Sequence, residues 1–233
     1  MNYDNILERF DKLYKEKKFL NLAISAIIIV MGISSVIFIW NHDKDGILTF
    51  RWMTVDGTIF TTLMTIFYVV VNLIEITRKT ELTRRPAYFA RLSSAVAECV
   101  IFIVVMLSQI WGGEDALHIL RYDMFCMHIA IPILTVASFV MNDSPQGKLN
   151  IRELLYGTLF VTVYAVVITW MIGFGYVTKE YIPYPFLDFE NMTPLMIIAC
   201  LIFVYGLAFG LGLGLSTLNR KLYWRWFRDL ARE

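Results

Sequence analysis

Charge is scarce in this chain. Of its 233 residues only 18% are Asp, Glu, Lys or Arg, against 58% apolar, and mean hydropathy is +0.59. A water-soluble domain carries about a quarter charged residues, so the composition points away from a water-facing globule. Net charge is +1, which offers a polyanion such as nucleic acid no electrostatic footing. Cysteine is limited to Cys99, Cys126 and Cys200. All three fall in apolar runs without CxxC spacing, which reads as buried thiols rather than disulfides or zinc ligands. His118, Asp123 and His128 recur at a spacing that does not stack on one helical face, and His42 adds little, so no metal or other cofactor is expected. GxSxG, HExxH and phosphate-loop motifs are missing. So are internal repeats, low-complexity segments, a second domain and the paired broken helices of many transporters. No cleavable signal peptide is expected, because a polar-rich segment precedes a long first apolar run.

What the chain has in quantity is long apolar runs. Six are evident, over about 19–40, 57–76, 92–111, 121–141, 153–174 and 194–217, each near the 20 residues a helix needs to cross a bilayer. Backbone polar groups must pair internally in lipid, and the alternating pattern of a barrel is absent, so these runs predict helices. The expected fold is therefore all-α: a polytopic six-transmembrane-helix bundle forming one membrane domain over residues 1–233. Residues 1–18 place Ile6, Phe10, Leu13 and Tyr14 at helical spacing among charges, which predicts an interfacial amphipathic helix. Residues 218–233 form a basic, aromatic tail. Of the 21 lysines and arginines, only Lys44, Arg51, Arg121 and Lys179 fall on the side of the odd-numbered loops. The positive-inside rule then predicts a multi-pass protein of the cell membrane with both termini in the cytoplasm. In the last span Gly206, Gly210 and Gly214 recur every four residues, a spacing that permits close helix approach, within the chain or in a homodimer.

The informative residues are polar ones inside the spans, because such groups usually face a bundle interior and mark function. His128 sits in the fourth span, and Pro132 removes the N–H that its carbonyl would use. Arg121, His128, Thr135 and Asn142 share one face. In the second span Thr58, Thr61, Thr62, Thr65, Tyr68, Asn72 and Glu75 form one polar stripe. The fifth span adds Thr158, Thr162 and Thr169, and the third adds Ser94, Glu98 and Gln109. Counting down each span places Thr61 about 6 Å and His128 about 10 Å below the outer surface. A hydroxyl and an imidazole at similar depth suggest nucleophilic catalysis, with Asp123 or Asp188 as a third, orienting group. Thr62, Thr65, Asp123, Tyr184 and Phe186 would then border a substrate. Pro183 and Pro185 stiffen the outer loop that carries Tyr184, Phe186 and Asp188.

That loop reads YIPYPFLDF at 181–189. Together with IFTTL in the second span and a histidine shortly before a proline in the fourth, it resembles a family of bacterial six-span membrane proteins. That family is itself similar to the animal androgen-induced and androgen-dependent TFPI-regulating proteins. The resemblance covers roughly residues 20–220. It implies a membrane-embedded hydrolase of fatty-acyl esters with a threonine nucleophile, falling on Thr61 or, one residue on, Thr62, and a histidine falling on His128. The implied partners are membrane lipid and a hydrophobic acyl substrate. Two positions depart from the pattern: Met64–Thr65 stands where relatives carry Ser or Asn, and the His-to-Pro spacing is nearer the bacterial members. Two readings remain beside hydrolysis, a small-solute transporter using the polar stripe and Glu98, and a lipid-binding membrane protein without chemistry.

Overall fold

A computed structural model describes residues 3–43, 45–78, 84–112, 121–145, 147–184 and 187–230. Six helices carry the chain: α1 Tyr3–Asp43, α2 Met53–Arg78, α3 Arg84–Gly112, α4 Tyr122–Asn142, α5 Ile151–Gly173 and α6 Pro194–Leu230. No strand occurs among the described residues. Each helix contains a segment of 21 to 33 residues that is long and apolar enough to cross a membrane. All six fall where the sequence predicts them. The helix that begins at Tyr3 runs without a break into the first span, and the basic tail continues α6 to Leu230.

The distribution of side chains is inverted relative to a soluble protein. Leu195, Ile202, Val30 and Val166 are 65% exposed or more, whereas Asn21, Thr58, Thr61, Arg91, Glu98, Asp123 and Thr135 are fully buried. Water would make that arrangement costly. Hydrocarbon favours it, because apolar surface loses nothing in lipid while polar side chains need partners from other helices.

Helices α1, α2, α3 and α4 close a four-helix core by successive contacts, α1 on α2, α2 on α3, α3 on α4 and α4 back on α1. Helix α6 packs on α3 and α4, and α5 leans on α2 and α3. Small residues set the closest approaches. A Cβ on Gly32 would lie 2.1 Å from the Thr62 hydroxyl, so α1 fits against α2 only without a side chain there. A Cβ on Gly157 would lie 3.5 Å from the Gly212 Cα, a backbone-to-backbone crossing of α5 and α6. Gly206, Gly210 and Gly214 do not serve inside the chain. Among the described residues nothing approaches within 4 Å of a Cβ on any of them, and their face points away from the bundle. Gly212 is out of register with those three and faces the opposite way, which is why it, rather than they, meets α5.

The helix ends follow local chemistry. Asn150 accepts from the Glu153 N–H while the Glu153 carboxylate accepts from the Asn150 N–H, a reciprocal cap that starts α5. Thr193 accepts from the Met196 N–H ahead of Pro194, whose missing donor costs nothing in a first turn. In α4 the residues Cys126–Ala130 widen into a π turn, with the Ile131 N–H reaching back to the Cys126 carbonyl. Pro132 lies just beyond. It cannot donate to the His128 carbonyl, and a wider turn is the local response. Both ends of the chain meet at one end of the bundle, the terminal end, where the Lys17 ammonium lies 5.2 Å from the Tyr223 ring and 4.9 Å from Trp226. The opposite end is the distal end.

Candidate functional site

Every third or fourth residue of α2, from Thr54 through Thr58, Thr61, Thr65 and Tyr68 to Asn72, is polar and buried. At 1.5 Å per residue this column is about 27 Å long, close to the thickness of bilayer hydrocarbon. The other core helices face it with Asn21 and Ser25 of α1, Arg91, Ser94 and Glu98 of α3, and His128, Thr135 and Ser138 of α4, all buried. The column divides into three regions with different chemistry.

At the terminal end the groups are tied together. Arg91 Nε donates to Asp143 Oδ2 at 3.2 Å, and its Nη2 donates to Ser138 Oγ at 2.6 Å and Asn21 Oδ1 at 3.4 Å. Asn21 Nδ2 donates to Tyr68 Oη at 2.7 Å and also to Asp143 Oδ1. The Arg91 guanidinium lies 5.0 Å from the Tyr68 ring centre. Asn219 of α6 donates to three carbonyls at the end of α4, those of Phe139, Val140 and Asp143. Lys17 donates to the Met141 carbonyl at 2.9 Å, and Lys18 pairs with Glu75 at 3.0 Å. A buried charge pair survives in low dielectric when its remaining valences are used, and here most are. A cleft of ≈ 570 Å³, including its open mouth, leads to this network past Lys17, Lys18, Tyr68, Asn72 and Asp143.

In the middle the groups are not tied. Ser25, Thr58, Thr61, Thr65 and Thr135 are buried hydroxyls without a hydrogen-bond partner, and both Glu98 carboxyl oxygens are buried without one. The Thr61 side chain faces Glu98, close enough to act on its charge but without a well-formed hydrogen bond.

At the distal end the hydroxyl beside His128 belongs to Thr54. His128 Nε2 and Thr54 Oγ1 are 3.2 Å apart and both side chains are buried. Thr54 also contacts the Tyr184 hydroxyl, which takes the Met53 N–H at the first turn of α2. Burial pushes the Tyr184 phenol up to about 12, against the stabilising pull of those two donors on its charged form.

The expected pairing of Thr61 with His128 is thus not what the structure brings together. The physical reason is that the spans do not begin at one height. Contact between residues 54 and 128 sets the start of α4 about five residues, roughly 7–8 Å, beyond the start of α2. Arg121 accordingly reaches Asp43 at the far end of α1, at 3.7 Å. Of the other expected site residues, Thr62 donates to the Thr58 carbonyl at 2.7 Å and packs against Gly32, so its hydroxyl is committed to its own helix. Thr65 belongs to the untied middle. Asp123 is fully buried and clamped by both arms of Arg121, at 2.7 and 2.6 Å. Asp188 accepts from Asn191 at 2.6 Å within its own loop. Tyr184 does reach the site. Phe186 and His118 lie outside the described residues.

Sequence reasoning missed the Arg91–Asp143 pair, because Arg91 reads as one of the topological charges of its loop. The signal was there: Arg91 and Glu98 are seven apart on one face of an apolar helix. Among the described residues no group of three His, Cys, Asp or Glu side chains is placed to hold a metal ion. A second cleft, of ≈ 900 Å³, opens sideways between α5 and α6 beside Thr169, Trp170, Phe174 and Tyr205. Neither cleft is lined by Thr54 or His128. No family model, curated protein or solved structure matches this chain.

Proposed function

We propose that this chain is a membrane-embedded hydrolase of fatty-acyl esters, working at the distal end of the bundle with Thr54 as nucleophile and His128 as general base. One observation carries the reading: a buried imidazole nitrogen 3.2 Å from a buried threonine hydroxyl, where two membrane helices meet. That is the geometry of an activated nucleophile. His128 takes the hydroxyl proton as Thr54 Oγ bonds to the acyl carbon, then returns it to the departing alcohol oxygen. Water, relieved of a proton by His128, breaks the acyl-threonine bond and frees the acid. Tyr184, beside Thr54, is placed to donate to the oxygen that gains charge. The lysine and arginine distribution supports a cytoplasmic terminal end, which puts this chemistry at the outer leaflet.

The test is turnover of a p-nitrophenyl fatty-acyl ester by the purified full chain. Thr54→Ala and His128→Ala each lower kcat/KM by about 100-fold or more, Thr54→Ser retains part of the rate, and Thr61→Val leaves it unchanged. Full activity in Thr54→Ala or in His128→Ala overturns the reading. If Thr61→Val rather than Thr54→Ala abolishes turnover, the nucleophile lies at the position the resemblance implied.

A second reading, passage of a proton or small cation along the α2 column, is favoured by a different observation. Polar groups run the length of that helix while the oxygens at its middle hold no partner. Flux into proteoliposomes under an imposed gradient checks it, and its absence removes it.

A further inference from the structure

The membrane interior usually makes a helix use its own hydroxyls. A serine or threonine there donates back to a carbonyl three or four residues earlier. Several hydroxyls of this chain follow the habit. Thr62 donates to Thr58, Thr77 to Leu73, Thr162 to Thr158, Ser94 to Ala90 and Ser216 to Leu213. Ser25, Thr58, Thr61, Thr65 and Thr135 do not. Ser93 of α3 and Thr49 ahead of α2 also hold no partner; the other five lie on α1, α2 and α4 at positions that face the α1–α4 core.

The register shows how these hydroxyls stack. Asn21, Tyr68, Arg91 and Ser138 are joined by direct hydrogen bonds and the ring contact, so they define one layer across the four helices. One turn toward the distal end lie Ser25, Thr65, Ser94 and Thr135, a layer of four hydroxyls. A second turn brings Thr61 and Glu98, which face each other, with Ile28 and Ile131 on the remaining two helices. The hydroxyl layer therefore lies about 5 Å from the guanidinium layer on one side and about 5 Å from the carboxyl layer on the other. Among the described residues Glu98 has no cation opposite it: the Arg91 guanidinium is a layer away and committed to Asp143, Ser138 and Asn21.

We propose that Glu98 and the hydroxyls of Thr61, Thr65, Ser25 and Thr135 form an internal binding site for a sodium-sized monovalent cation. All the donors are oxygens, which suits a hard cation. A single carboxylate surrounded by neutral hydroxyls is balanced by one positive charge, whereas a divalent ion would leave a net charge in the core. Hydroxyls that turn lone pairs inward, instead of spending their protons on their own backbone, are what such an ion needs from them. The site belongs with the passage reading, to which it gives a substrate class, and it stands or falls independently of hydrolysis at Thr54.

The experiment is equilibrium binding of radioactive sodium to the purified full chain in nanodiscs, with choline chloride holding ionic strength constant. Saturable binding approaching one sodium per chain is expected. Glu98→Gln should weaken it at least tenfold, and Thr65→Val or Thr135→Val severalfold. The same salt should raise the unfolding temperature of the wild type and not of Glu98→Gln. Absence of saturable sodium binding to the wild type at 100 mM overturns the proposal, and means that Glu98 is balanced by a proton. Undiminished binding in folded Glu98→Gln overturns it as well. The threonine variants keep the question decidable should Glu98→Gln not fold. Sodium bound without flux in proteoliposomes leaves the site standing and removes the passage.

Discussion

Successive layers of the same four helices, one turn apart, treat polar groups in opposite ways. At the terminal end Arg91, Asp143, Asn21 and Ser138 exchange hydrogen bonds among themselves, and only Arg91 Nη1 is left over. In the next layers Ser25, Thr65, Thr135, Thr61 and Glu98 are as deeply buried and hold nothing. Burial is the same, so burial alone does not distinguish a lock from a site. Satisfaction does. A network that consumes its own valences fixes helices in register, whereas buried valences left open are retained for something the protein does not itself supply.

The sharpest way to break this comparison is to strip the lock. Arg91→Met leaves Asp143 buried without its cation, and removing one partner of a buried pair costs about 3–5 kcal/mol. Thermal unfolding of the purified chain in detergent should show a larger drop than either Ser138→Ala or Thr135→Val produces. Adding Asp143→Leu should recover part of the loss, because the unpaired charge leaves with its partner. If Arg91→Met melts like the wild type, the terminal layer does not hold the helices together.

A matched pair of smaller changes sharpens the contrast. Ser138→Ala removes a hydroxyl that accepts from Arg91 and donates to Asn21, and should destabilise by about 1–3 kcal/mol, since the donor and acceptor left behind are buried. Thr135→Val, three residues away on the same helix face, removes a hydroxyl that holds no bond. In sodium-free choline buffer it should leave the unfolding temperature unchanged or raise it, a gain in stability of at most about 1 kcal/mol. Equal losses in the two variants would make the middle a second lock and end the distinction.

Most of the architecture was legible because hydrophobic length is a strong signal, and all six spans stand where apolar runs predicted them. That the helix is disturbed at His128 was legible too, from a proline placed where its carbonyl needs a donor; that the response is a wider turn was not. What failed was the conversion of residue number into depth. Counting from the start of each span assumes a common membrane plane. The helix starts are staggered instead, and the hydroxyl that His128 meets is seven residues from the expected one. Arg91 was ambiguous for a related reason. A cation at a span boundary reads equally well as a topological charge in the headgroups or as a buried partner, and the position of Asp143, just past the end of α4, decides. The open middle could be suspected from Glu98 and the α2 threonines. That their hydroxyls decline the usual carbonyl on their own helix is a rotamer fact, which no spacing encodes.

The distal end supplies the mildest test of the same contrast, because there the hydroxyl contact comes from a loop. Tyr184 touches Thr54 and the first turn of α2, and its ring stands edge-on to Trp52 at 6.3 Å. Its phenol is pushed up to about 12 from an ordinary value of 10. The folded state therefore keeps a proton that the released loop gives up between those pH values. The contact is fully present below pH 10 and weakens as pH rises toward 12, by no more than about 2 kcal/mol. Trp52 emission and protease cleavage within residues 174–193 should both change across that window. Tyr184→Phe should flatten the pH dependence of both, since it keeps the ring and removes the proton. A wild-type profile that stays flat to pH 12 would mean that the loop is held by its apolar contacts alone. Thr54 would then owe its position to its contact with His128.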